Sequence, residues 1–220
     1  MQTAKMVELK EKIIYESSLV ERMITLTVEG LLNSNMDYLN NAIDYENMIN
    51  QLEMEIEEMC ISMIALYQPE AKDLRTIISI LKINIDFERM GDHAVNIFYS
   101  AKFLLERPAL NSLISIQNMA RETIDMLRKA IDAYIMEDAQ KAQEVCVFDD
   151  VIDDYNDQII RELITYMLSD PKNIERSIHL INISENLERI ADGCTNIAEN
   201  TIFIKEGKVI KHHALDTNNS

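Results

Sequence analysis

Apolar residues recur at three- and four-residue spacing along most of the chain. Ile49, Leu52, Ile56, Met59 and Met63 form one such stripe, and Ile80, Ile83, Phe87, Met90, Ala94 and Ile97 form another. This is the pattern of amphipathic helices with one core-facing side. The three prolines, Pro69, Pro108 and Pro171, punctuate it, because proline breaks a helix interior and restricts the residue before it. The pattern predicts a first helix from about Thr3 to Leu32, ending at Asn33-Ser34-Asn35. A second runs to about Tyr67, and a third from about Ala71 to Glu106.

After Pro108 the same plan returns. The segment from Glu88-Arg89-Met90-Gly91-Asp92 to Asn96-Ile97 answers to that from Glu188-Arg189-Ile190-Ala191-Asp192 to Asn196-Ile197, at an offset of 100 residues. Pro69 answers to Pro171 at an offset of 102, and Glu46 to Asp149 at 103. The drift falls where a helix–helix turn can shorten. The chain therefore reads as an all-α tandem repeat of two three-helix bundles, residues 1–107 and 108–207, with a polar tail over 208–220 that is expected to fray.

Composition agrees with this picture and narrows the partners. Four glycines and three prolines in 220 residues fall well below the usual share of about 12% for the pair, which leaves few turns. Thirty-eight acids against 21 bases give a net charge of −17. Nucleic acid is excluded as a partner, since phosphates call for a basic footprint, and anionic membrane surfaces are disfavoured for the same reason. No apolar run reaches the ~18 residues that a membrane span needs. The start also lacks the apolar block of a signal peptide, so a cytoplasmic protein is expected. Cys60, Cys146 and Cys194 are odd in number and far apart. They are read as small buried apolar residues and not as disulfides or zinc thiolates.

The chemistry-bearing positions are acidic. Glu88 and Asp92 stand four apart, on one face of a helix, where two carboxylates repel unless something binds between them. They interrupt the stripe Leu74, Ile78, Leu81, Ile85, Val95 and Tyr99, so the pair is expected within an apolar sector. Glu188 and Asp192 repeat it. The preceding helix of each unit offers a second pair at the same spacing, Glu46 with Asn50 and Asp149 with Asp153. Paired helices bearing oxygen ligands suit hard or borderline cations. The simpler reading, in which these acids are solvated or paired with Lys72, Lys82, Arg89 or Arg189, stays open on spacing alone. A carboxylate-bridged di-metal bundle with an oxidase or storage role is the alternative from another class. It is disfavoured because the Glu-x-x-His elements of such bundles are absent. His93 reads as a surface histidine, and Gly91 and Ala191 as small residues permitting close packing. No nucleotide-binding or nucleophile motif is present, so no catalytic centre is read.

Several segments together resemble the PhoU family over essentially the whole length. They are Tyr67-Gln68-Pro69-Glu70-Ala71-Lys72-Asp73-Leu74-Arg75, the signatures Phe87-Glu88-Arg89-Met90-Gly91-Asp92 and Leu187-Glu188-Arg189-Ile190-Ala191-Asp192, Thr165-Tyr166-Met167 before Asp170-Pro171, and Glu206-Gly207. The resemblance implies two three-helix bundles side by side, commonly as a homodimer, and a cytoplasmic adaptor without catalysis of its own. It implies a negative regulator of the phosphate-starvation regulon that links the ATPase subunit of a phosphate ABC transporter to a PhoR-like sensor histidine kinase. It further implies metal ions, iron, zinc, manganese or magnesium, held by Glu/Asp-x-x-x-Asp motifs. Those motifs fall on Glu46, Asn50, Glu88 and Asp92, then on Asp149, Asp153, Glu188 and Asp192. Asn50 departs from the pattern, a neutral amide where an acid is expected. Asp73-Leu74-Arg75 is characteristic too, and the second unit has Asn173-Ile174-Glu175 in its place; an asymmetric partner contact or a helix-start role for Asp73 are both open.

Overall fold

The computed structural model of the chain describes residues 2–110 and 113–208. Six long helices make up the fold: α1 (Gln2–Leu32), α2 (Met36–Tyr67), α3 (Ala71–Leu105), α4 (Leu113–Met136), α5 (Ala139–Ser169) and α6 (Ile174–Glu206), with a short 3-10 turn at Pro171–Asn173. The first three boundaries lie within one or two residues of those the sequence pattern predicts. Residues 209–220, which hold His212, His213 and most of the predicted tail, lie outside the described residues.

Local chemistry sets the turns. Ser34 takes a positive φ of 52°, and the Asn35 side chain accepts from the Asp37 amide at 2.9 Å to start α2. Asp138 starts α5 in the same way, accepting from the amides of Gln140 and Lys141. Each cap satisfies amides that the first helical turn leaves without partners. Gly207 ends α6 at φ 71°. The guanidinium of Arg75 lies 3.6 Å from where its Cβ would be, a cation well placed against the carbonyl end of a helix.

α1, α2 and α3 pack on one another, as do α4, α5 and α6, while α3 against α6 is the most extensive helix pair and joins the two units, with α1 against α4 beside it. The seam is tight at Gly193, where an added Cβ would stand 2.6 Å from Met90 Cε. Gly91, expected to permit close packing beside the acids, faces α2 and not the seam, and a Cβ there would meet Ile49 at an ordinary 3.7 Å. His93 is not a surface histidine. It is half-buried in the seam, with Nδ1 3.0 Å from Asn186 Oδ1, and burial lowers its pKa.

Phe103 on α3 stacks on His179 of α6 at 3.8 Å, and Arg107 covers its other face at 3.3 Å. Polar contacts reinforce the junction: Glu137, just past α4, accepts from Lys10 at 2.9 Å and from Lys72 at 3.1 Å. Cys60 and Cys194 are buried as expected, whereas Cys146 is half-buried at the edge of the core.

Candidate functional site

In the second unit, α5 presents Asp149 and Asp153 and α6 presents Glu188 and Asp192. Asp149 and Glu188 are half-buried, while Asp153 and Asp192 are exposed. Their mutual influence shows that the fold brings all four together. Burial first, then Asp192 and Asp153, pushes the Asp149 carboxyl up to about 6, against a hydrogen bond with Thr195. Burial, then Asp153, Asp192 and Glu185, raises Glu188, with Arg189 opposing. Burial also raises Asp192, against Arg189 and His93. Asn156, one turn beyond Asp153, donates to Glu188 Oε2 at 2.7 Å. Its own Oδ1 and the Oδ1 of Asp149 are buried without a partner among the described residues.

The first unit is arranged differently. Glu88 is half-buried and Asp92 exposed on α3, Glu46 is half-buried and Asn50 exposed on α2. Burial, then Asp92 and Glu53, raises the Glu88 carboxyl, with Arg89 opposing. The α2 acid that acts on Glu88 is thus Glu53, itself raised by burial and by Glu57. Sequence reasoning passed over Glu53. Its signal was there, since it stands seven residues after Glu46 and three after Asn50, on the same helical face.

The apolar sector expected around Glu88 and Asp92 is also corrected. Ile85 and Tyr99 are exposed, while Leu74, Ile78, Leu81 and Val95 are half-buried. α3 is held between α1, α2 and α6, so its fully buried line is Ile77, Ile80, Ile83, Phe87, Met90 and Ala94. The acids sit on the flank of that line, reachable from solvent. Among the described residues, none of the four acids on α3 and α6 forms an ion pair with Lys72, Lys82, Arg89 or Arg189; Lys72 instead pairs with Glu137.

The donors fit a hard cation: all are oxygens, burial first and then neighbouring acids hold Asp149 and Glu188 above their ordinary pKa, and two buried oxygens lack partners among the described residues. Among the described residues, no three His, Cys, Asp or Glu side chains already surround one point closely enough to hold an ion. An ion would be held by Asp149, Asp153, Glu188 and Asp192, with Asn156 beside them. It would supply charge neutralisation to a cluster that otherwise repels itself.

Two tandem three-helix bundles, each with carboxylates on its second and third helices, define an all-α protein of duplicated design. The chain belongs to the PhoU family: the PhoU domain matches twice, over residues 15–101 and 116–201. A phosphate-specific transport system accessory protein PhoU homolog of Aquifex aeolicus is 41% identical over 205 residues, covering 93% of both chains. That of Pseudomonas aeruginosa is 32% identical over 213 residues, covering 96% of this chain and 88% of the relative. The crystal structure of PhoU from Pseudomonas aeruginosa aligns with a TM-score of 0.92 at 32% identity, over 94% of this chain and 100% of that one. The phosphate transport system regulatory protein PhoU from Streptococcus pneumoniae aligns at 0.87 with 27% identity, over 96% and 100%. No helix among the described residues is long and apolar enough to cross a membrane.

Proposed function

We propose that the chain is a cytoplasmic, metal-binding accessory protein of phosphate uptake that restrains the phosphate-starvation regulon. It acts as a homodimeric adaptor between the ATPase of a phosphate ABC transporter and a sensor histidine kinase, without catalysis of its own. The observation that carries this reading is likeness over nearly the whole chain to accessory proteins of phosphate-specific transport, 41% identical in the Aquifex aeolicus case. The clustered acids of α5 and α6 support the metal-binding part. The exposed Leu66 and Leu168, 74% and 83% accessible at matching ends of α2 and α5, supply apolar contact surface for partners.

Deleting the gene tests the regulatory role. Expression of phosphate-regulated genes rises in phosphate-rich medium and returns to the repressed level when the intact chain is restored; continued repression in the deletion strain overturns it. Capture of the tagged chain from phosphate-rich cells recovers the transporter ATPase and the kinase.

A further inference from the structure

α1 and α4 hold equivalent places in the two units, and their buried positions correspond at an offset of 103 residues. Ile13 answers to Ile116, Val20 to Thr123, Met23 to Met126 and Ile24 to Leu127, all buried. In this register Glu16 answers to Met119, and both are 0% exposed. The second unit fills the position with a thioether. The first places a carboxyl group there, which the duplication does not dictate.

Both oxygens of Glu16 are without a hydrogen-bond partner among the described residues. Burial pushes its carboxyl up to about 9, with Glu53 and Glu88 adding repulsion, so the carboxyl is neutral near pH 7. Neutrality does not remove the conflict, because a buried O–H and C=O still lack partners. A bound water or ion is one of the ways in which a buried polar group of this kind is satisfied. Asn84, one turn before Glu88 on α3, adds a second such group. Its amide donates to the Glu53 carbonyl at 3.0 Å, while its own Oδ1 is buried and unpartnered. Oxygens from α1, α2 and α3 therefore meet at one junction, and no ion pair to Glu16, Glu53 or Glu88 occurs among the described residues.

We propose that Glu16 is an inner acceptor of the first unit's cation site, joining Asn84, Glu53 and Glu88 around a hydrated divalent cation of the hard class, Mg2+ or Mn2+. This rests on the metal-binding reading above and locates the first site one layer deeper than Glu46 and Asn50. Among the described residues no three acids stand at direct ligand distance, so Glu16 reaches the ion through a retained water, as hydrated Mg2+ commonly requires.

Mn2+ binding by the full chain, followed by electron paramagnetic resonance, tests it. In a Glu188→Gln/Asp192→Asn background that silences the second unit, Glu16→Met weakens the remaining affinity by about 10–100-fold, the usual effect of losing an outer-shell partner. Glu16→Gln, which keeps one acceptor oxygen, gives a smaller loss and serves as the second variant should Glu16→Met fail to fold. Glu88→Gln removes the binding in the same background. Affinity unchanged in the folded Glu16 variants, while Glu88→Gln removes it, overturns the role of Glu16 and leaves the metal reading intact. Absence of Mn2+ binding by the unaltered protein overturns both.

Discussion

Asn196 of α6 donates from Nδ2 to Asp86 Oδ1 of α3 at 3.1 Å, and the pseudo-symmetric partner of this contact runs the other way, from Asn96 of α3 to Asn186 Oδ1 of α6 at 3.2 Å. The two pairs cross the seam between the units at equivalent positions. They differ in that the first unit carries an aspartate where the second carries an asparagine, and in that His93 also contacts Asn186 while its counterpart is Gly193.

That difference predicts a pH effect. Burial pushes Asp86 up to about 6, against the Asn196 hydrogen bond and the Arg89 charge. A carboxyl raised in the folded state favours folding while it is protonated, so its contribution declines as pH rises from about 4 to 6 and then levels off. Asp86→Asn removes this decline. Chemical denaturation at pH 4 and pH 7.5 reads the variant as gaining stability relative to the unaltered protein at the higher pH, by about 3 kcal/mol at most. An identical pH dependence in both proteins contradicts it.

Glu137 works in the opposite direction. Hydrogen bonds from Lys10 and Lys72, stronger in sum than its partial burial, lower its pKa. Its contribution is present above the ordinary glutamate value and is lost as the pH falls through the lowered one. Glu137→Gln costs about 1 kcal/mol at neutral pH, being a partly solvated pair, and progressively less as the pH falls through the lowered value. Urea midpoints at low and high salt check this, with the difference shrinking as salt screens the pairs.

Gly91 and Gly193 separate two roles of glycine in a helix. Alanine gains about 0.5–1 kcal/mol over glycine inside a helix. Gly91→Ala realises that gain, since the site has room. Gly193→Ala must displace Met90, 1% exposed in the core, and melts below Gly91→Ala. Thermal melts rank the two, and equal midpoints mean that Met90 yields without cost.

The acids of α5 and α6 predict a stability that depends on cation supply. Asp149→Asn relieves repulsion and raises the melting temperature in chelator, while Mg2+ or Mn2+ raises that of the unaltered protein instead. At a hundredfold excess over Kd the gain is about 2.7 kcal/mol. A midpoint indifferent to cation and chelator argues against ion binding.

Helix limits were legible because Pro69 and the Asn33–Asn35 turn act locally. The repeat was legible because its acidic signatures kept their spacing. The acids of the second unit lie near enough to act on one another for the same reason. Glu53 escaped notice among the 38 acids of the chain, and so did Glu16, between Tyr15 and Ser17. Only the burial register against Met119, which needs the packed bundle, reveals it. The crossed asparagine contacts join residues 90 and 110 apart, a separation over which helical periodicity carries no information.

The helices that meet along the seam are those that carry Glu88 and Glu188. The two acidic clusters therefore share a common wall, and His93 of the first unit acts directly on Asp192 of the second. A rotation of α6 that shifted Asp192 would carry Gly193 and Asn196 with it, and so press on Met90 and Asp86 of α3. Neither cluster can be repacked alone, because the helix that bears one is the wall of the other.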